Sequence, residues 1–214
     1  MDSMKTKSKG GARYVLGFVD DYSRYVVTYF LKKKSDVANK FKLFLTMHKN
    51  QWGERIKCLR SENGNEFVKK SMDKIRQQYG IIHQKPVPYS LQQNNVSKHM
   101  NRTIMVKTRS MLQYKGVSAM WWAEAVKTTM YLINQSTNSK RSTTPPYDLS
   151  FKTKPRLNHL RVFGPIGYAH VDKSKRTKLE AKMFKCMFLG YTEDSKGYRV
   201  YDLESNKVKI GKGG

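Results

Sequence analysis

Four carboxylates in the first third of the chain follow apolar runs and could bind a divalent cation. Asp20 and Asp21 come after "RYVLGFV", and Glu62 and Glu66 come after "IKCL" in the stretch "IKCLRSENGNEF". Carboxylate oxygens suit Mg²⁺, and two such ions about 3.5–4 Å apart can clamp the attacking and leaving oxygens of a phosphodiester. These four residues are therefore weak candidates for metal ligands.

Three of these candidates also have an ordinary structural explanation. Aspartate in a turn bonds its own backbone, so Asp20 and Asp21 in "DDYSR" favour a hairpin turn. Glu66 is typical of the first turn of a helix, where the helix dipole favours an acid. Five histidines and two cysteines are scattered along the chain without zinc-binding spacing. The residues alone therefore assign no metal site.

The balance of charges points to a polyanionic partner. Lysine and arginine outnumber aspartate and glutamate by 42 to 16, which gives a net charge of +26. Each phosphate that a cation neutralises releases condensed counterions, so DNA or another nucleic acid is the expected partner. No amphipathic basic helix favours a membrane surface instead.

The cations expected to bind nucleic acid lie in two segments. The segment from Asn94 to Lys115 contains no acid, and the second segment lies near the C-terminus. Their candidate residues are Lys98, Arg102, Lys107, Arg109, Lys115, Lys173, Lys175 and Arg176. On a helix, Lys98, Arg102 and Arg109 share one broad face, whereas Lys107 and Lys115 point in other directions. No base-reading motif occurs, so nonspecific binding is predicted, with diffuse solvation by lysine as the alternative.

The pattern of elements predicts an α/β domain followed by a small all-β module. Two β-branched and aromatic runs around "DYSR" predict a hairpin, and Ser35 is the expected N-cap of the next helix. Gly80 is the expected end of a second helix, and a long helix is expected from about Asn94 to Tyr114. The proline-marked stretch "TNSKRSTTPPY" separates the predicted domains, which cover residues 1–150 and 155–214.

The sequence also predicts a compartment. Cys58 and Cys186 both lie in apolar runs, which favours buried, reduced thiols. The N-terminus has no apolar signal region, and no run reaches membrane length. An intracellular protein of the nucleus or cytoplasm, not a secreted one, is expected.

Six segments together resemble the integrases of copia-type (Ty1/copia) LTR retrotransposons, which are part of a Pol polyprotein. The segments are "FVDDYSRYVVTYFLKKKSDV", "IKCLRSENGNEF", "VPYSLQQNNVSKHMNRTIM", "WWAEAVKTTMYLINQS", "HLRVFGPIGYAHV" and "KCMFLGY" with "KGYRVYDL". They follow the order of the family and span nearly the whole chain. The resemblance implies a ribonuclease H-like integrase core followed by an SH3-like barrel.

The resemblance also implies polynucleotidyl transfer with Mg²⁺ or Mn²⁺ held by two aspartates and a glutamate. Glu62 in "RSENG" takes the place of the aspartate in the family pattern "RSDNG". Lys98 in "QQNNVSKHMNR" takes the place of the glutamate in "QQNGVAER", and residues 63–97 make the thirty-five-residue spacing that the family shows. An ammonium group donates hydrogen bonds and cannot ligate a cation, so Lys98 is predicted to be inactivating.

The first family aspartate aligns before Met1, because Met4 in "MKTKSKGGARY" matches a family methionine. The resemblance thus predicts that this aspartate is absent, together with the central strand that carries it. A truncated and degenerate copy of this kind is expected to use no cofactor.

Three hypotheses about function follow. The first is a catalytically inactive integrase core that binds nucleic acid nonspecifically. The second is an active transferase that uses Asp20 or Asp21 with Glu62. The third is a transposon fossil without selected function. Because integrases of the family act as multimers, the formation of a homo-oligomer is a further hypothesis.

Overall fold

The computed structural model describes residues 3–61, 67–84, 95–137, 143–172, 174, 176–192 and 197–212. The helices are α1 (Val37–Trp52), α2 (Lys70–Tyr79), α3 (Asn95–Tyr114), α4 (Trp122–Gln135) and α5 (Pro146–Phe151). The strands are β1 (Tyr14–Val19), β2 (Val26–Leu31), β3 (Cys58–Arg60), β4 (Ile82–Gln84), β5 (Ile166–His170), β6 (Met183–Tyr191), β7 (Gly197–Asp202) and β8 (Val208–Lys212).

The first two strands form the predicted hairpin and are covered on both faces. They pair antiparallel from Tyr14 opposite Leu31 to Val19 opposite Val26. Because side chains alternate along a strand, Leu16 and Phe18 enter a core with α1 and α2. Val26 lies in a second core with α3 and α4. The hairpin is therefore the middle layer of an α/β/α sandwich.

The ends of the first two helices follow ordinary capping chemistry. Gly53 and Gly80 end α1 and α2 with positive φ angles of 72° and 65°, as predicted for Gly80. The expected N-cap at Ser35 is wrong, because residues 34–36 form a 3₁₀ turn and Asp36 occupies the cap position of α1. The carboxylate of Asp36 accepts a hydrogen bond from the backbone N–H of Lys33.

Strands β3 and β4 form a separate parallel pair. Cys58, Leu59 and Arg60 lie opposite Ile82, His83 and Gln84. Leu59 and Ile81 pack against the core that β1 shares with α1. In the part of the chain that the structure describes, no strand joins this pair to the β1–β2 hairpin.

Cys58 is exposed, so the prediction that it is buried is wrong, whereas Cys186 is buried as predicted. Strand side chains alternate, and Leu59 occupies the position that faces the core. Its two neighbours Cys58 and Arg60 therefore point away from the core.

Helices α3 and α4 pack against each other and cover one face of the hairpin. Met100 and Ile104 of α3 share a core with Val126 and Met130 of α4. The side-chain amide of Asn134 in α4 also binds the edge of the hairpin. Its Oδ1 accepts from the backbone N–H of Val26 and its Nδ2 donates to the carbonyl of Val26, both over 2.9 Å.

The last four strands form an antiparallel sheet in the order β5-β6-β7-β8. The turn between β7 and β8 closes around Asp202, which is 3% exposed. Its carboxylate accepts hydrogen bonds from the side chains of Lys209 and Ser205 and from the backbone N–H groups of Glu204 and Ser205. The bonds from Lys209 and Ser205 hold the pKa of Asp202 well below its ordinary value.

A seam joins this sheet to the α/β layers, and we define it by the contacts that α4 and its N-cap residue Trp121 make with β6 and β7. Glu124 accepts two hydrogen bonds from Arg199, over 3.0 and 2.7 Å. Thr128 donates to the carbonyl of Leu189 over 2.8 Å. The rings of Trp121, which is 5% exposed, and Tyr201 lie 4.5 Å apart. The seam is thus a third core with its own polar contacts.

No helix among the described residues is long and apolar enough to cross a membrane.

Candidate nucleic-acid interface and carboxylate positions

Helix α3 separates a buried face from a cationic face. Met100, Ile104 and Thr108 are 9%, 3% and 2% exposed and point toward α4. The cations Lys98, Arg102 and Arg109 lie about 140° around the helix from that face, and all three are exposed. The amphipathic pattern that buries one side of α3 therefore places these cations in solvent.

Lys107 and Lys115 are also exposed, but they lie elsewhere around α3 and do not extend this stripe. We call Lys98, Arg102 and Arg109 the cationic stripe. It contains no acid, because no Asp or Glu occurs in the helix.

The structure describes only some of the cations in the second segment. Arg176 is partly buried, whereas Lys178, Lys182 and Lys185 are exposed. Lys173 and Lys175, which were also predicted to bind nucleic acid, lie outside the described residues. The structure therefore brings together three of the five cations predicted in the first segment, Lys98, Arg102 and Arg109, but does not relate them to those of the second segment.

Asp20 and Asp21 lie in the turn of the β1–β2 hairpin. Asp20 Oδ2 accepts from both the backbone N–H and the hydroxyl of Ser23, each over 2.7 Å. Asp21 contacts the guanidinium groups of Arg24, over 2.7 Å, and Arg60, over 3.4 Å. One carboxylate is thus used to close the turn and the other is paired with two cations.

Side chains also connect the ends of β3 and β4. The hydroxyl of Ser61 lies 2.8 Å from Nε2 of His83. Arg60 Nε donates to the side-chain oxygen of Gln84 over 2.7 Å. We refer to residues 20–21, 60–61 and 83–84 as the strand ends. These two side-chain pairs were not predicted from the sequence. Placing "KCLRS" and "IIHQ" in neighbouring parallel strands would have indicated them.

Glu62, which follows the strand ends directly, and Glu66 lie outside the described residues. Within the described ranges, no group of three or more His, Cys, Asp or Glu side chains is placed to hold a metal ion. The residues that are described do not fit a magnesium site, because Asp20 closes a turn, Asp21 pairs with arginines and Lys98 is a cation.

Solved structures establish the class of fold. The chain resembles a subunit of the simian T-cell lymphotropic virus intasome in complex with the PP2A regulatory subunit B56 gamma. The TM-score is 0.56 and the identity 14%, over 99% of this chain and 74% of that one. The HTLV-2 integrase catalytic core domain in complex with magnesium (trimeric form) gives a TM-score of 0.51 at 17% identity, over 70% of this chain and 92% of that one. The fold is that of an integrase catalytic core with a C-terminal antiparallel sheet.

Sequence comparisons specify the family. Residues 1–90 match the family "Integrase core domain", and residues 166–212 match the family "Retroviral polymerase SH3-like domain". The retrovirus-related Pol polyprotein from transposon TNT 1-94 of Nicotiana tabacum is 38% identical over 96% of this chain. The one from transposon RE1 of Arabidopsis thaliana is 31% identical over 92% of this chain. The chain belongs to the copia-type retrotransposon integrases, with the core and SH3-like parts of the Pol polyprotein.

The chain spans 15% and 13% of the lengths of these two polyproteins. The family membership and the integrase fold confirm the resemblance seen in the sequence. Integrase cores are metal-dependent as a family, and magnesium is named in the HTLV-2 structure.

Proposed function

We propose that this integrase-derived chain binds duplex DNA nonspecifically and does not catalyse polynucleotidyl transfer. In this proposal residues 1–150 form the core and residues 155–214 form the SH3-like module. The observation that carries it is the position of Lys98, an exposed cation near the start of α3 where the family pattern has a glutamate.

The charges on α3 support the binding part. Lys98, Arg102 and Arg109 are spaced along one exposed face over eleven residues, which is about 16 Å of helix. A row of cations with no intervening acid attracts a phosphate backbone and releases its counterions. Contacts to phosphates carry no sequence information, so the binding is nonspecific.

The same substitution supports the loss of catalysis. A two-metal centre needs carboxylate oxygens around both ions, and an ammonium group repels them. Asp20 and Asp21 are weak substitutes, since their oxygens already bind Ser23 and two arginines. Glu62 has one methylene more than the family aspartate, and a shift of about 1 Å can lower a rate about a hundredfold.

The binding proposal is tested with two matched variants on the same helix. Lys98→Glu and Lys107→Glu change the net charge equally, but only Lys98 belongs to the cationic stripe. We expect Lys98→Glu to weaken duplex binding several-fold more than Lys107→Glu, and to reduce the slope of log affinity against log salt by about 1 or more. Fluorescence anisotropy over a salt series measures both quantities.

Equal effects of the two variants would show that binding depends on diffuse charge alone. An affinity that does not change with salt, or no affinity at low salt, would contradict the proposal itself.

A further inference from the structure

A cavity of about 660 Å³ opens beside the cationic stripe. Its walls are formed by the N-terminal segment, α3 and the start of α4, and include Met4, Lys5, Met105, Arg109, Leu112 and Trp122. Its volume falls in the range of sites that bind small organic groups.

The indole of Trp122 forms a preorganised wall of this cavity. Its Nε1 donates to the backbone carbonyl of Thr6 over 3.0 Å, which ties the N-terminal segment to the start of α4. Its ring also lies 5.8 Å from the ring of Phe30, edge to face, and Trp122 is 4% exposed. The wall is therefore held by contacts on two sides.

The cavity combines apolar walls with two cations. The half-buried Met105 and Leu112 offer apolar surface for a flat group, with the buried Trp122 behind them, whereas Lys5 and Arg109 offer charge. A simple anion would leave the apolar surface unused, and a neutral apolar molecule would leave both cations without a counterion. A nucleotide joins a flat base to a phosphate and matches both features.

Arg109 belongs both to the cavity and to the cationic stripe, so a strand that follows the stripe reaches the cavity. We infer that the cavity accepts an unpaired nucleobase of a bound nucleic acid, with the adjacent phosphates on Lys5 and Arg109. This inference rests on the proposed function and adds a preference for unpaired nucleotides to it. Bases stack on aromatic and apolar side chains regardless of identity, and an unpaired base avoids the cost of leaving a duplex.

The test compares two short duplexes, one fully paired and one with a single unpaired 2-aminopurine. We expect the full chain to bind the second duplex about tenfold more tightly, in line with the stacking of one base. The fluorescence of the unpaired 2-aminopurine should change on binding, because its stacking partners change. This second readout uses the unaltered chain and does not depend on any variant.

Gln113→Trp and Ser110→Trp provide matched variants, since both side chains are exposed on α3 but only Gln113 lines the cavity. Gln113→Trp should fill the cavity and reduce the preference to within about twofold, whereas Ser110→Trp should keep it. Equal binding of both duplexes by the unaltered chain would overturn the cavity inference and leave the proposed function standing. Failure to bind either duplex would overturn both.

Discussion

At the seam, Thr128 and Leu189 are 2% and 0% exposed, and Arg199 reaches Glu124 with two short hydrogen bonds. At the strand ends, by contrast, Asp21 and Arg60 are 67% and 61% exposed and meet over 3.4 Å. Burial makes the seam sensitive to single atoms, because a dense interior cannot absorb added volume or an unpaired polar group. At the strand ends, water screens the charge pairs, so the removal of one pair changes the free energy of unfolding only slightly. The seam is thus tightly packed. The two carboxylates of the strand ends, by contrast, lie in a turn and in exposed ion pairs.

The largest expected effect is that of Gly190→Ala at the seam. A Cβ atom there would lie 2.1 Å from the hydroxyl oxygen of Thr128, and Gly190 has a φ of +134°. Overpacking and backbone strain together should lower the free energy of unfolding by about 4 kcal/mol. Urea unfolding measures the change. Gly167→Ala is the control, since nothing lies within 4 Å of its added Cβ, and an equal loss there would show that the seam is not special.

A somewhat smaller loss is expected for Asn134→Ala in α4. The variant removes the amide that satisfies both backbone groups of Val26, and Asn134 is only 6% exposed. Two buried groups left unpaired should cost about 3 kcal/mol, measured by thermal or urea unfolding. Asn134→Asp retains the acceptor, but it buries a carboxylate whose second oxygen faces the carbonyl of Val26, so its cost should be at least as large as that of Asn134→Ala. A loss below about 1 kcal/mol for Asn134→Ala would mean that water replaces the amide.

Asp202→Asn should lower stability by about 2 kcal/mol near neutral pH, because the variant weakens the charged bonds to Lys209 and Ser205. The pKa of Asp202 in the fold lies below its ordinary value of 3.8, so the carboxylate stabilises the fold above that value. This contribution is lost as the pH falls from about 4 toward the folded pKa. The difference in unfolding free energy between the chain and the variant should therefore shrink in acid. A difference that stays constant with pH would refute this account.

The smallest effect is expected for the matched change Asp21→Asn at the strand ends. Asp21 is mostly exposed, and surface ion pairs contribute about 0–1 kcal/mol, so the unfolding free energy should change by about 0.5 kcal/mol or less. The same urea titration used for Asp202→Asn measures it. A loss as large as that of Asp202→Asn would show that the exposed ion pairs of the strand ends stabilise the fold as strongly as the buried carboxylate of the β7–β8 turn.

The sequence predicts local structure well where one short segment determines it. The β-branched runs around "DYSR" specify the hairpin, and Gly80 alone supplies the positive φ that ends α2. The prediction for Cys58 failed because an apolar run does not show which side chains of a three-residue strand face the core. The N-cap prediction failed because the 3₁₀ turn before α1 moves the helix start from Ser35 past Asp36.

Contacts between distant segments could not be predicted in the same way. Glu124 and Arg199 are 75 residues apart, and Asn134 lies 108 residues from Val26, so only the assembled fold brings each pair together. The cationic stripe is different, because helical spacing within one segment already places Lys98, Arg102 and Arg109 on one face. The cavity beside it needs the N-terminal segment and α4 as well.

The most direct measurement of the central claim incubates the full chain with end-labelled duplex DNA in Mg²⁺ and in Mn²⁺. Bound and free DNA are followed by a mobility shift, and strand lengths by denaturing electrophoresis. Our account predicts DNA that is bound but neither nicked nor joined in either metal. Nicked or joined strands that require the metal and disappear in Glu62→Ala would contradict it and would show an active transferase.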